Sequence, residues 1–279
     1  MKQYNDILKR IMDQGVDREG RNGKTRALFA IQMRFKMEDG FPAVTTKKLA
    51  FKAVKSELLW FLDMKGKERA SDEDLKALNQ SERTIWTDNA ESDYWKPKSQ
   101  FKGDLGRVYG IQWRNWRRPD GTTVDQIGQL IENLQKKPND RRHIVTAWNP
   151  GELDDMALPP CHMFFQCFVA GGKLSLHMVQ RSCDMFLGVP FNIASYSLLL
   201  HMLAQVTGLT AHECILTLQD AHIYHEHFDA VKEQLGREPM ALPQLKLNPA
   251  VTDIDSFKME DIELVNYQSH PSIKAKMVV

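Results

Sequence analysis

Hydrophobic side chains recur every three to four residues in several segments, which is the spacing of an amphipathic helix. The first such segment covers residues 4–12, and Gly15 follows it as a stop signal. The same spacing predicts helices over 51–62 and 124–134 and near 224–235, and a long apolar helix over 192–206 that ends at Gly208. Helices are therefore expected along the whole chain.

Other segments alternate apolar and polar residues, which is the period of a half-buried strand. From Phe29 to Phe35 every second residue is large and apolar. Gly171-Gly172 is a two-residue hairpin signal between predicted strands over 162–170 and 173–179, and further strands are predicted over 143–148 and 213–218. Because strict βαβ alternation is absent, the pattern predicts one α+β domain over 1–279, with helices packed on a mixed β-sheet and 64–106 as a helical and loop excursion.

The charges nearly cancel, since 37 Lys and Arg residues against 36 Asp and Glu residues give a formal charge of +1. With 42% hydrophobic and 26% charged residues, the chain is predicted to form a sizeable core and not to be disordered or polybasic. No run approaches the roughly 18 apolar residues of a membrane span, and the start lacks a signal-peptide apolar region. Four scattered cysteines without a C-x-x-C pair predict reduced thiols and no structural zinc. We therefore expect a cytoplasmic protein without a membrane partner.

Cys161 follows two prolines, which fix the backbone immediately before a predicted strand. A free cysteine is more often a small buried residue than a nucleophile. Cys161, however, has His162 beside it, and the predicted hairpin should return Arg181 to the same neighbourhood. Because a guanidinium stabilises a thiolate over a thiol, these neighbouring residues predict that Cys161 is nucleophilic.

Arginines at predicted loop or strand ends are candidates for binding phosphate through their planar guanidinium groups. A pair such as Arg141-Arg142 is, by itself, more often surface charge. The arginines taken together with Ser182 favour an anion-binding site. Since the sequence has no P-loop and no G-x-G-x-x-G fingerprint, the bound anion is predicted to be a monophosphate. The residues of this predicted site are Arg21, Arg141, Arg142, Arg181 and Ser182.

Three polar features stand in apolar or aromatic surroundings. Glu57 lies on a helix that is predicted to be largely buried, and a carboxylate in such a position is unusual and indicates a specific role. Asn192 opens the long apolar helix, either as its N-cap or as an amide that can donate and accept at once. The histidines of segment 222–227 could share a helix face toward a metal, but they match no strong zinc signature, so hydrogen bonding to a sugar hydroxyl is the simpler interpretation.

Seven short motifs stand in a fixed order along the chain. They are 42–48 (PAVTTKK), 57–60 (ELLW), 109–114 (YGIQWR), 160–162 (PCH), 180–184 (QRSCD), 190–192 (PFN) and 222–224 (HIY). In content and order they resemble the thymidylate synthase family, and the likeness runs from Arg21 to Val279. The resemblance implies that family's fold, a homodimer packed through the sheet face, and conversion of dUMP and 5,10-methylenetetrahydrofolate to dTMP and dihydrofolate.

The resemblance also implies roles at the nucleotide. Cys161 resembles the nucleophile that adds to C6 of the uracil ring, and Asn192 the residue that reads the pyrimidine O4 and N3–H. Glu57 is similar to a buried carboxylate that organises water and relays protons, beside Tyr109 and His162. The implied phosphate ligands are Arg21, Arg181 and Ser182 from one subunit with Arg141 and Arg142 from its partner, and the implied ligands of the deoxyribose 3′-hydroxyl are His222 and Tyr224.

For the folate, the resemblance implies a pterin pocket, a closing C-terminus and no metal. Val279 would close over the bound ligands and exclude water. Two departures from the family pattern are Gln219, where glycine is usual, and Arg107, where proline is frequent; the loop over 20–25 is also one residue short. The implied pocket residues are Trp86, Leu158, Asp184, which hydrogen-bonds the ring, and Gly188.

Three other functions are compatible with these residues. The nearest is a hydroxymethylase of the same fold, in which water instead of hydride captures the methylene; Asn192 argues against a cytosine substrate but not against dUMP. The second is RNA binding through the basic segment 114–118, although the near-zero charge favours a solvated turn there, so nucleic acid is not an expected partner. The third is a catalytically dead relative, against which the intact Cys161 and Glu57 argue.

Overall fold

The computed structural model describes residues 1–20 and 22–276. Arg21 and Val279, to which the resemblance gives roles at the phosphate and over the ligands, lie outside the described residues. The helices are α1 (Lys2–Gln14), α2 (Phe51–Leu62), α3 (Asp72–Asn79), α4 (Thr87–Ala90), α5 (Gly110–Arg114), α6 (Gln126–Lys136), α7 (Val189–Thr207) and α8 (Phe228–Leu235). The strands are β1 (Val16–Gly20), β2 (Gly23–Lys36), β3 (Ala70–Ser71), β4 (Asp104–Gly106), β5 (Trp116–Arg117), β6 (Thr123–Val124), β7 (Ile144–Thr146), β8 (His162–Ala170), β9 (Lys173–Asp184), β10 (Thr210–Tyr224), β11 (Gln244–Leu247) and β12 (Ile262–Val265).

A six-stranded sheet in the order β1-β2-β10-β9-β8-β7 forms the centre of the fold. Its neighbouring strands are antiparallel except for β9 and β10, which run parallel with α7 as the connection between them. The predicted hairpin joins β8 to β9, and Gly171 and Gly172 adopt positive φ values of 56° and 73°, which suits a tight two-residue turn. The predicted α+β class with a mixed sheet is confirmed.

The long helix α7 is the central helix of the core. It contacts β9 and β10 on one side and α2 and α6 on others. By length and composition it could cross a membrane, but 72% of its most apolar window is buried inside the fold. This burial is what a core helix of a globular protein shows, and α7 holds the sheet against the helices that carry the candidate site.

The sheet face opposite α1 and α7 carries exposed aromatic side chains. Phe29 is 78% exposed and Phe168 is 65% exposed. The alternation in the sequence predicts Phe29 on the buried face with Ile31 and Met33, and this prediction is wrong. Ala30 takes a φ of 60°, in the left-handed region, which breaks the two-residue period and leaves Phe29 outside.

Several predicted boundaries differ from the structure, and three of the differences bear on the candidate site. β10 is much longer than the predicted strand over 213–218, because it pairs with β2 and β9 through the polar residues that follow Leu218. His222 therefore lies in a strand, α8 begins only at Phe228, and the proposed shared helix face of the histidines is wrong. α7 begins at Val189 with Gly188 at its N-cap, so Asn192 lies in the first turn and is not the N-cap.

Candidate active site

Strands β8 and β9 bring Cys161 and Arg181 together at one end of the sheet. His162 pairs with Gln180 across the two strands, and the Arg181 amide donates to the Cys161 carbonyl oxygen at 2.8 Å. The Arg181 guanidinium lies 5.3 Å from the Trp148 ring centre, and donates from Nε to the Pro160 carbonyl and from Nη2 to the Pro159 carbonyl, both at 2.9 Å. The predicted return of the hairpin is thus observed, and Arg181 holds the chain that presents Cys161.

Cys161 is partly exposed, whereas Cys167, Cys183 and Cys214 are buried. Burial of its thiol raises the pKa of Cys161, and the positive charge of Arg181 together with a contact to Tyr109 lowers it, with burial the larger effect. The sequence predicts that Arg181 lowers the pKa of Cys161, and the direction of this effect is confirmed. The net shift is nevertheless upward, so the thiol of the free protein is predominantly protonated near neutral pH.

Tyr109 connects the nucleophile to an aromatic cluster. Its hydroxyl oxygen accepts the Cys161 backbone N–H at 2.6 Å, and its ring centre lies 4.1 Å from that of His162 and 5.1 Å from that of Phe61. The backbone of Tyr109 takes an unusual φ of 20° directly before α5. A Cβ atom on Gly110 would lie 2.4 Å from the Phe61 carbonyl oxygen, so glycine allows α5 to approach α2 closely enough for this stacking.

Glu57 projects from α2 into the same cluster. The indole Nε1 of Trp86 donates to its Oε1 at 2.7 Å. Burial raises the pKa of Glu57 to about 7, although the Trp86 hydrogen bond, which favours the charged form, partly opposes that rise. The carboxyl group can therefore exist in both protonation states near neutral pH, which is the condition for general acid–base catalysis.

His162 is held by an aromatic neighbour on α7. The hydroxyl group of Tyr196 lies 2.7 Å from its Nδ1, and the two ring centres are 5.3 Å apart at right angles. Burial lowers the pKa of His162 to about 3, so the imidazole is neutral at pH 7. Glu57, Tyr109, Cys161 and His162 therefore form one contiguous group in the structure.

The start of α7 gathers the other residues predicted at the pyrimidine and the pterin. Asp184 ends β9, and its Oδ1 accepts the backbone N–H groups of Phe186 and Leu187 at 2.9 and 3.0 Å. A Cβ atom on Gly188 would lie 3.9 Å from Oδ1 of Asn192, which places the two residues side by side. Leu158 is partly buried in the segment that leads through the two prolines to Cys161.

His222 and Tyr224 lie at the end of β10, beside this segment. His222 is opposite Asp184 in the parallel register, and its Nδ1 lies 3.1 Å from the Asp220 carbonyl oxygen. The His222 and Tyr224 rings meet edge to face at 5.2 Å. Ser182 of β9 is opposite Asp220 and is partly exposed. Within residues 1–20 and 22–276 no group of three or more metal-binding side chains occurs.

Arg141 and Arg142 are not brought to Cys161 in this chain. Both are exposed just before β7, and Arg142 donates to Asp140 from Nη2 at 2.7 Å. Since Ile144 pairs with Gln166, Arg142 lies near the level of Phe168 on β8. At about 3.3 Å per residue, that is roughly 23 Å along the strand from Cys161.

The basic segment 114–118 is only in part the solvated turn that its composition predicts, since Arg117 and Arg118 are exposed but Arg114 is buried. Arg114 is 2% exposed and forms ion pairs with Asp125 and Asp255. Arg117 pairs with Glu68 at 2.9 Å. Acidic residues distant in sequence thus compensate the charge of this segment, which leaves little unpaired charge for a nucleic acid.

The order of these residues along the chain and their convergence in space agree with a comparison with known protein families. The model of the family described as thymidylate synthase matches residues 2–279. The chain belongs to the thymidylate synthase family. Membership assigns it a methyltransferase-type function of the dUMP methylation or hydroxymethylation kind, with dUMP and a folate as the implied substrates.

Three residues of the site are absent from the sequence prediction for this member of the thymidylate synthase family. Trp148 lies beneath Arg181, and Asp220 contacts His222. Trp148 carries no sequence signal, because its contact depends on tertiary packing, whereas Asp220 and His222 are two residues apart on β10 and so lie on the same face of the strand. Tyr196 was accessible to prediction, since it is four residues after Asn192 and so lies on the same face of α7.

Proposed function

We propose that this protein catalyses the reductive methylation of dUMP to dTMP, with 5,10-methylenetetrahydrofolate as the donor of the one-carbon unit and of the hydride. The observation that carries the proposal is the juxtaposition of a partly exposed Cys161 with Arg181, Tyr109 and a carboxyl group, Glu57, whose pKa is near 7. These groups supply a nucleophile, an anion ligand and a proton carrier in one place.

In this proposal the chain's own residues perform distinct tasks. The Cys161 thiol gives up its proton and its sulfur bonds to C6 of the uracil ring, which breaks the C5=C6 π bond and makes C5 nucleophilic. After C5 has taken up the one-carbon unit, the C5 proton is lost, and the C6–S bond breaks as the ring double bond re-forms. Arg181 and Ser182 bind the nucleotide phosphate, and His222 and Tyr224 bind the sugar hydroxyl. Asn192 donates to O4 and accepts from N3–H, a pattern that suits uracil and not cytosine. Glu57, with Tyr109 and His162, moves protons at O4.

The folate would bind against the aromatic cluster. Trp86 meets Tyr109 edge to face at 5.7 Å and is part of an apolar aromatic cluster, and Asp184, at the end of β9, supplies a carboxylate next to Gly188. A flat heteroaromatic ring with N–H donors fits such a surface. The residues that would hold it are Trp86, Leu158, Asp184 and Gly188, with Val279 at the chain's end.

Assay of the purified protein with dUMP and 5,10-methylenetetrahydrofolate tests the proposal. We expect dTMP and dihydrofolate in equal amounts, followed by the dihydrofolate absorbance. The second candidate is hydroxymethylation by a water molecule, which would give 5-hydroxymethyl-dUMP and tetrahydrofolate instead. The presence of Trp86 and Val279, at positions that the resemblance assigns to the pterin pocket and its closure, favours reduction. Finding the hydroxymethyl product would overturn the choice.

Replacing Trp86 with phenylalanine is expected to raise the pKa of Glu57. The indole N–H stabilises the ionised carboxylate, and a hydrogen bond to a charged group is worth about 1.5–3 kcal/mol, or roughly 1–2 pKa units. The limb of the pH profile of kcat/KM that reports Glu57 in the free enzyme should therefore move upward from about 7. Trp60→Phe, in the same aromatic cluster, is the matched control and should leave that limb in place. An unchanged limb in Trp86→Phe would contradict the electrostatic role.

We also propose that the protein acts as a homodimer through the open face of its sheet. That face exposes Phe29 and Phe168, and Arg142 lies at the level of Phe168, remote from its own Cys161. Pairing two copies through this face would cover the apolar side chains and bring Arg141 and Arg142 to the partner's phosphate site.

We propose a cytoplasmic location for the protein. All four cysteines are free thiols, which is typical of proteins in a reducing compartment.

Mixing two impaired variants tests the shared site. Cys161→Ser lacks the nucleophile, and Arg142→Ala lacks the phosphate ligand given to the partner. After joint unfolding and refolding, about a quarter of all sites should combine an intact Cys161 with an intact Arg142. Activity at low dUMP concentration should rise above that of either parent. If the mixture shows only the mean of the two parents, the arginines do not act across an interface.

A further inference from the structure

Tyr196 makes a contact that the proposed reaction does not use. It lies on α7, one turn after Asn192, and is 2% exposed. Its hydroxyl group lies 2.7 Å from Nδ1 of His162, and among the described residues it has no other hydrogen-bond partner. A buried phenol that bonds only to an imidazole nitrogen in the candidate site can control how that imidazole holds its proton.

The direction of this hydrogen bond follows from the protonation states. Burial keeps the pKa of Tyr196 well above its ordinary value, so the phenol keeps its proton at neutral pH. His162 is neutral, so one ring nitrogen is a donor and the other an acceptor. If Nδ1 carried the proton, the phenol would accept it and its own O–H would remain buried without an acceptor, at a cost of about 1–3 kcal/mol. Donation from Tyr196 to Nδ1 avoids that cost.

We propose that Tyr196 is a positioning residue whose hydroxyl group, by donating to Nδ1, holds His162 as the neutral tautomer with its proton on Nε2. The ring has little freedom to turn, because Tyr109 stacks on it at 4.1 Å and Phe61 lies at 6.4 Å. The N–H on Nε2 then points away from Tyr196. If the proposed function holds, this N–H is a fixed donor for the oxygen atoms of the bound pyrimidine or for the water beside them.

The groups around Tyr196 and His162 agree with a donor role. Glu57 and Cys214 act electrostatically on the Tyr196 phenol, and both oppose its ionisation. Tyr109 also remains protonated, because burial and the nearby Cys161 raise its pKa well above the ordinary value. With both phenols and the imidazole uncharged, Glu57 is the group in this cluster that changes its charge near pH 7. His162 thus supplies a hydrogen bond without taking part in that titration.

The tautomer of His162 can be measured directly. Full-length protein labelled with ¹⁵N-histidine contains nine histidines, and the His162 signals are those missing from the His162→Gln variant. At pH 7 in the wild type we expect a protonated Nε2 and an unprotonated Nδ1. In Tyr196→Phe, which removes only the hydroxyl group, the two nitrogen shifts should move toward those of mixed tautomers. A proton on Nδ1 in the wild type would overturn the proposal, and this measurement needs no variant of Tyr196.

Kinetics separate positioning from a purely structural effect. Tyr196→Phe should lower kcat about tenfold and leave the KM for dUMP within about twofold, since a misplaced donor weakens the transition state more than binding. Tyr4→Phe is the matched control, because Tyr4 is equally buried and its hydroxyl donates to the Met185 carbonyl at 2.7 Å. Equal losses of kcat and thermal stability in both variants, with unchanged His162 shifts, would contradict the proposal. Failure of the wild type to form dTMP would overturn the proposed function alone, because the nitrogen shifts do not depend on turnover.

Discussion

Replacing Cys161 with serine is expected to lower the rate of dTMP formation by about a thousandfold or more. A thiol loses its proton far more readily than an alcohol, and the proposed bond to C6 needs that proton to leave. The substitution changes one atom of a partly exposed side chain, so the fold should persist. Turnover is measured by dihydrofolate absorbance, and dUMP binding by calorimetry should remain within a few-fold of the wild type.

Cys167→Ala is the matched control for this prediction. Cys167 lies on β8, six residues beyond Cys161, but it is fully enclosed in the core. Its loss should cost stability through the small cavity and leave kcat nearly unchanged. A second test treats the wild type with 5-fluoro-dUMP and 5,10-methylenetetrahydrofolate. Because fluorine at C5 cannot leave as a proton does, the adduct should persist and add mass to the peptide that contains Cys161. If Cys161→Ser retains more than a tenth of the turnover, or the label appears on another peptide, the sulfur is not the nucleophile.

The sequence predicts the regular elements best where one side of the element is uniformly apolar. α1, α2 and α7 follow from their helical spacing, and the hairpin between β8 and β9 follows from Gly171-Gly172. Strand lengths are less accessible. β10 continues past Leu218 because two neighbouring strands pair with it, and that pairing overrides the polar residues in its second half.

For the candidate site as well, the sequence predicts some properties and not others. The resemblance of short motifs predicts Cys161, Arg181 and Asn192 as site residues, and the fold brings Cys161 and Arg181 together at one end of the sheet. Quantities that depend on burial do not follow from motifs. Arg181 lowers the pKa of Cys161 as predicted, yet burial outweighs it. The ion pairs of Arg114 with Asp125 and Asp255 also need tertiary structure, since Asp255 is remote in sequence.

Arg107, which stands where the family often has proline, is expected to be a major source of stability. It is 1% exposed and donates to the Glu152 carboxylate from Nε at 2.7 Å, to the Glu68 carbonyl at 3.1 Å and to the Asn115 carbonyl at 2.7 Å. Removing one partner of such a buried pair typically costs about 3–5 kcal/mol, and Glu152 would keep as counter-charge only the more distant Arg117, whose Nη1 lies 3.7 Å from Oε1. Arg107→Met should therefore lower the free energy of unfolding by about that amount, as measured by urea denaturation.

The origin of this loss can be separated with Glu152, which is largely buried and also accepts a hydrogen bond from Gln112 Nε2 at 2.6 Å. If the weakly compensated carboxylate of Glu152 causes the cost, Glu152→Gln added to Arg107→Met should restore about half of the stability, because the remaining amide needs no counter-charge. Arg107→Lys keeps the charge but lacks the planar fork, so it should fall between the wild type and Arg107→Met. A loss below about 1 kcal/mol in Arg107→Met would mean that the network merely replaces solvation and does not hold β4 and α5 in place.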